Sequence, residues 1–222
     1  MKNDRTIRAI QIVDILRKAT CGMQELASTT IINQFGKNPF LILISCLLSL
    51  RTKDTVSLPA SQRLFAKAQT PQDIVQIPVH DLEIIIYPVA FYRRRAKNLH
   101  EVCRDLLDRF NGSVPSTLQE LLTINGVGLK TANLVLAQGF DIPAICVDTH
   151  VHRISNRLGL VTTDTPAETE QELKKVLPQE YWIEYGQLVV VWGQNICVPI
   201  SPKCSQCPII SLCPRIAVTT SR

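Results

Sequence analysis

Apolar residues recur along most of this chain at the spacing of helix turns. Leu99, Val102, Leu106 and Phe110 fall on one face of a predicted helix, and Asn111-Gly112 supplies its stop. From Phe40 to Leu50 the run is apolar on every side, the pattern of a helix buried all round. Thr117 and Glu120 have the spacing of a capping box, and Leu118, Leu121 and Leu122 form the stripe behind it. A second helix follows Asn125-Gly126-Val127-Gly128, with Gly139 placed to end it. Another begins at Asp148-Thr149-His150, buries Val151, Ile154 and Leu158, and stops at Gly159. Sustained alternation is hard to find, so the predicted fold class is all-α.

Composition narrows the class. The chain has 222 residues, of which 45% are hydrophobic and 19% charged, too apolar for disorder and long enough for one large or two small domains. The run from Phe40 to Leu50 is too short to cross a bilayer, and the residues after Met1 lead into no signal-type block. The expectation is a soluble intracellular protein, cytoplasmic or nucleoid-associated, with no membrane partner. A net charge of +5 permits a polyanion partner without requiring one. In a reducing compartment the eight cysteines are thiols or metal ligands.

Two segments carry candidate chemistry. Gly126-Val127-Gly128 makes a tight helix–helix connection with Val127 as its plug, and backbone N–H groups there, at a helix start, suit a phosphate. Lys130 lies in the first turn that follows. Most lysines are simply solvated, but burial and the positive helix end would both favour a neutral, nucleophilic amine. Asp148 is placed as an N-cap, held ionised by the helix dipole, and His150, His152, Arg153 and Arg157 beyond it form a solvated face or a phosphate track. Phe91-Tyr92-Arg93-Arg94-Arg95 sets an aromatic side chain beside a positive patch. Near the C-terminus, Cys197, Cys204, Cys207 and Cys213 are spaced C-x6-C-x2-C-x5-C among prolines. Four thiolates so close fit one metal centre, either structural zinc or an iron–sulfur cluster. Cys21, Cys46, Cys103 and Cys146 sit among apolar residues and are expected to be core thiols.

Together, Gly126-Val-Gly-Leu-Lys130-Thr-Ala-Asn, Val147-Asp148-Thr-His150 and the cysteine tail resemble the endonuclease III branch of the helix-hairpin-helix DNA glycosylases. The resemblance covers nearly the whole chain. It implies two helical domains flanking a DNA cleft: residues 32–142 as a six-helix domain with the hairpin, and residues 1–31 with 143–222 as a discontinuous domain. Cys197, Cys204, Cys207 and Cys213 would hold a 4Fe–4S cluster. The implied enzyme is a monomer that excises oxidised or ring-saturated pyrimidines from duplex DNA and then nicks the strand at the abasic site. Lys130 would form a Schiff base and Asp148 would assist. Gly126, Val127, Gly128, Arg51, Phe91, Arg93, Arg94, His150 and Arg153 would contact DNA, Phe91 as a wedge. Arg51 stands where the family usually has glutamine, and Asn125 where it has proline. A monofunctional thymine or adenine mismatch glycosylase fits less well because Lys130 is present. A non-catalytic DNA-binding module fits least, since Lys130 and Asp148 are both retained.

Overall fold

The computed structural model describes residues 2–222, so Met1 and the expectation attached to it lie outside the described residues. Among these residues there are twelve α-helices, three short 3-10 turns and no strand, which makes the fold all-α. No helix among them is long and apolar enough to cross a membrane. The chain forms two compact units, one of residues 26–142 and one assembled from both ends of the chain, residues 2–25 and 143–222.

Helix α1 (Lys2–Ala19) belongs to the discontinuous unit. The contiguous unit then runs through α2 (Ala27–Phe35), α3 (Pro39–Ser49), α4 (Asp54–Phe65), α5 (Pro71–Gln76), α6 (Val79–Ile86), α7 (Tyr92–Phe110), α8 (Leu118–Leu121) and α9 (Leu129–Phe140). It starts at Leu26 rather than at residue 32, because a boundary there would cut through α2. It holds eight helices, of which α5 and α8 are only six and four residues long. The chain returns to the first unit with α10 (Thr149–Arg157), α11 (Pro166–Val176) and α12 (Trp182–Asn195).

At the centre of the contiguous unit lies α3. Asn38 caps it by accepting the Phe40 N–H at 2.9 Å, Pro39 opens its first turn, and every residue from Phe40 to Leu48 is buried. Burying each such aliphatic side chain contributes about 1.5–3 kcal/mol relative to exposure. Helices α2, α4, α7 and α9 pack around it. The α7 face is the one the spacing predicts, with Leu99, Val102 and Leu106 buried and Asn111 closing the helix in the left-handed conformation.

Two boundaries differ from expectation. Gly139 does not end α9, which continues to Phe140 and closes at left-handed Asp141. A side chain at 139 would meet the Pro39 backbone at 3.1 Å, so glycine lets α9 press against the start of α3. The α8 stripe is also narrower than predicted: Leu121 is buried, but Leu122 is exposed. Thr117 accepts the Glu120 N–H at 3.3 Å, while the Glu120 carboxylate takes the Thr117 hydroxyl at 2.6 Å instead of completing the box. The complete capping box is at α5, between Thr70 and Asp73.

In the discontinuous unit α1 packs against α11 and α12, and α10 against the same two. Ala9, Ile12, Val13 and Leu16 of α1 share a core with Val151, Ile154, Leu158, Tyr185 and Trp192. Polar ties close this arrangement: Arg8 donates to the Gly159 carbonyl at 2.8 Å and Arg17 to Glu184 at 2.6 Å.

Candidate nucleic-acid interface and active site

The hairpin between α8 and α9 is shaped by its two glycines. Gly126 has φ +83°, a conformation that a side chain would strain. Its Cα faces Asn98 of α7 so closely that a Cβ would lie 3.3 Å from the amide oxygen. Asn125, in place of a proline, is tied down by side chains of α7, giving its amide N–H to Glu101 at 3.1 Å and receiving one from Asn98 on its carbonyl at 3.4 Å. Val127 turns inward: its side chain is buried and its N–H bonds to the Ile124 carbonyl at 3.0 Å. It is therefore the plug, and corrects the expectation that it also offers a donor outward. Gly128 is the N-cap of α9 and brings no side chain to it, so the first amides of that helix keep the character of an anion site.

Lys130 is the second residue of α9 and is exposed. The burial expected around it is not present in the free protein. Its charge reaches buried Cys46 on α3: burial pushes that thiol up to about 12, and Lys130 pulls the other way.

Two loops of the same unit each carry a residue in the left-handed region that is not glycine. Arg51 follows α3 and Phe91 precedes α7, both at φ +58° and both exposed. Holding such residues costs of order 1–3 kcal/mol each. Phe91 is 63% exposed, far from the half-buried helix aromatic that its sequence neighbourhood also allows. The loops are laced together. Thr52 Oγ1 accepts the Ala90 N–H at 3.1 Å, and Arg95 Nη2 donates to the Leu50 carbonyl at 3.2 Å. From α4, Arg63 donates to the Ile85 carbonyl at 3.0 Å and to that of Tyr87. Arg93 and Arg94 are exposed in the first turn of α7, where the helix dipole opposes positive charge.

In the discontinuous unit, Asp148 is the N-cap of α10. One carboxylate oxygen accepts the N–H of His150 at 2.8 Å and of Val151 at 2.9 Å. The basic residues beyond it do not form a phosphate track. His150 lies flat against Gly193 of α12, where a Cβ would come within 2.5 Å of its ring. Arg153 donates to the Cys197 carbonyl at 2.8 Å and to the His150 ring at 3.2 Å. Arg157, itself buried, donates to the carbonyls of Val198 at 2.8 Å and Pro199 at 2.7 Å, and reaches Cys197 Sγ at 3.4 Å. His152 bonds Thr169 at 2.6 Å. Arg153 and Arg157 thus serve the fold of the cysteine loop, a long-range use that local spacing does not reveal.

Cys197, Cys204, Cys207 and Cys213 line one cavity, together with Arg157, Trp192 and Ile209. Burial pushes the Cys207 and Cys213 thiols up, and neighbouring thiols add to the shift. Among the described residues, no three His, Cys, Asp or Glu side chains gather closely enough to hold one ion. Of the other cysteines, Cys46 and Cys103 are buried and Cys146 is half-buried, but Cys21 is exposed beyond the end of α1 and is not a core thiol.

A family model described as HhH-GPD superfamily base excision DNA repair protein matches residues 44–179. The chain belongs to the HhH-GPD superfamily. The matched span takes in Arg51, Phe91, the hairpin, Lys130 and Asp148, and ends before the cysteine loop. This HhH-GPD protein is 44% identical over 196 residues to endonuclease III of Thermotoga maritima, covering 86% of its own length and 92% of that protein. A solved non-covalent endonuclease III–DNA complex is 34% identical with a TM-score of 0.83 and covers 95% of each chain. A trapped endonuclease III–DNA covalent intermediate is 36% identical with a TM-score of 0.81, covering 93% of this chain and 96% of that one. Thr52, Arg63 and Arg95, which hold the Arg51 and Phe91 loops of this HhH-GPD protein, carry no sequence signal for that role, because each acts on a backbone carbonyl or N–H of a different segment.

Proposed function

We infer that this base excision repair protein is a bifunctional DNA glycosylase and AP lyase acting on oxidised or ring-saturated pyrimidines in duplex DNA. The observation that carries the reading is Lys130: an exposed primary amine in the first turn of α9, directly behind the two-glycine hairpin. The similar endonuclease III trapped as a covalent intermediate with DNA supports a covalent route.

The chemistry follows from the groups present. A base inside the stack shields its sugar carbon, so the nucleotide is turned out of the duplex before reaction. Lys130 Nζ then donates its electron pair to form a bond to C1′, the glycosidic C1′–N bond breaks, and the base leaves with the electrons of that broken bond and takes up a proton. Opening of the sugar gives a protonated Schiff base on Lys130. Loss of a C2′ proton then expels the 3′ phosphate by β-elimination, and water releases the lysine. Asp148 serves as proton acceptor for the amine and as fixed negative charge toward the developing cationic sugar. Phe91 fills the gap left in the stack, Arg51 is presented beside it, and Arg93, Arg94 and the amides at Gly126 and Gly128 hold phosphates without reading sequence. His150 and Arg153 have no such role, being engaged with α12 and the cysteine loop.

A panel of defined duplexes, each carrying one lesion against each opposite base, tests this reading. Oxidised and saturated pyrimidines will be released and the strand nicked on the 3′ side. Release confined to mispaired thymine or adenine, without nicking, would replace it with a monofunctional enzyme.

Cys197, Cys204, Cys207 and Cys213 fit a 4Fe–4S cluster. All four border one cavity, as a single centre held by four thiolates requires. The buried Trp192 indole on the same cavity turns its N–H toward the Cys207 sulfur, and that donor favours the thiolate. The Arg157 guanidinium offsets thiolate charge at Cys197. Bound there, the cluster would supply cross-linking of a tail that lacks a helical core. Purified protein is expected to contain iron and acid-labile sulfide in equal amounts, and Cys207→Ser to lose both; stoichiometric zinc without sulfide would overturn the assignment.

A further inference from the structure

The turn ahead of Lys130 lacks the residue its geometry favours. The Val127 N–H bonds to the Ile124 carbonyl at 3.0 Å, and Gly126 has positive φ (+83°) while Asn125 does not. Those are the marks of a type II turn over residues 124–127, which takes glycine at its third position and favours proline at its second. Proline suits that second position because its ring fixes φ at about −65°. Asn125 stands there instead, with no such constraint on its own backbone. The first amides of α9 follow directly, so the set of this turn decides where those donors point.

What replaces the ring comes from α7. Asn98 and Glu101 are three residues apart on that helix and share a face. Asn98 donates to the Asn125 carbonyl at 3.4 Å, and Glu101 accepts the Asn125 side-chain amide at 3.1 Å. Asn125 is therefore gripped by main chain and side chain at once. Further along the same face, Arg109 pairs with Asp105 at 2.9 Å and donates to the Thr123 hydroxyl at 2.6 Å. Asn98, Glu101, Asp105 and Arg109 thus make one polar stripe on α7, opposite no apolar core, and it seats the segment from Thr123 to Gly126.

We propose that Glu101 and Asn98 are positioning residues for DNA binding: they fix the hairpin turn in place of a proline ring and so aim the amides at the start of α9 toward a DNA phosphate. The inference deepens the glycosylase reading and rests on it. Charge alone would give Glu101 the opposite effect, because a carboxylate beside a phosphate site repels DNA and its removal would tighten binding. In the positioning role an acceptor oxygen within reach of Asn125 is what counts, and the charge is incidental. Phosphate contacts of this kind set the register of the duplex on the protein without reading its sequence. The effect of the clamp therefore falls on affinity for any duplex, damaged or not.

The test compares Glu101→Ala with Glu101→Gln, which lose the same charge while only the second keeps an oxygen for Asn125. Dissociation constants are measured on an uncleavable duplex carrying a tetrahydrofuran abasic analogue and on the same duplex undamaged. Glu101→Ala will bind each about 2- to 10-fold more weakly than Glu101→Gln, the net contribution of one hydrogen bond. Made again together with Asn125→Pro, the two variants will bind alike, because the ring sets the turn and the side-chain amide is gone. The turn's own hydrogen bond uses the Val127 N–H, so proline takes nothing from it. Glu101 is exposed, and melting curves will show all four variants folded. Equal binding by Glu101→Ala and Glu101→Gln with Asn125 in place, or a gap that survives Asn125→Pro, overturns the proposal. A wild type that holds the analogue duplex no tighter than the undamaged one fails the glycosylase reading, while the gap on undamaged DNA still decides the clamp.

Discussion

Lys130→Ala will fold like the wild type and lose all borohydride-dependent cross-linking to abasic-site DNA. Both halves of the result have a physical basis. Lys130 is exposed, lies at the second position of α9, and carries a charge that the helix N-terminus disfavours. Alanine is the best helix former, so the change in stability should stay within about 0.5 kcal/mol. Cys46, which feels the Lys130 charge, keeps its high position because burial is the larger cause. The chemistry has no such tolerance, since a Schiff base needs a primary amine at that place on the hairpin. Lys130→Arg preserves the charge without a usable nucleophile and should fail equally. A denaturing gel after reduction, read beside a melting curve, decides the matter. Adduct at wild-type yield in Lys130→Ala would move the nucleophile elsewhere.

Asp148→Asn should leave stability almost unchanged and slow base release by about a hundredfold or more. The two effects separate because Asp148 has two jobs. Its oxygen accepts the His150 and Val151 N–H groups, which any good N-cap does, and asparagine ranks with aspartate there. Only the carboxylate can accept a proton from the amine or oppose cationic charge on the sugar. Asp148→Ala removes both functions and should cost about 1 kcal/mol in addition. Single-turnover rates and denaturant melts on the pair of variants distinguish the roles. An asparagine enzyme releasing base at the wild-type rate would leave Asp148 as a helix cap and nothing more.

Local periodicity identified the elements whose neighbours are uniform: α3 is buried on all sides, and the α7 and α10 stripes face a single core each. It failed where one distant contact decides. Gly139 reads as a stop, yet it is a place where α9 meets Pro39. Arg153 and Arg157 read as a basic face, yet their partners are carbonyls some forty residues later. Cys21 lies between apolar stretches, but it falls just past the last turn of α1, where nothing covers it. Of the candidate site, residue types and order were legible at the hairpin, Lys130, Asp148 and the four tail cysteines. The backbone state of Arg51 and Phe91 was not, because neither side chain favours positive φ; the Thr52–Ala90 and Arg95–Leu50 bonds hold that region.

The construction of one unit from both chain ends sets an order of assembly during synthesis. Residues 26–142 form a compact unit from one continuous stretch and can condense once that stretch has left the ribosome. Helix α1 emerges earlier and must wait longest, because Ala9, Ile12, Val13 and Leu16 have no apolar cover until α10 to α12 have been made. Throughout that interval its oily stripe is open to water and to other nascent chains. Release of a truncated product would leave the stripe bare for good, which gives a cell's quality control a simple mark by which to know an unfinished repair enzyme.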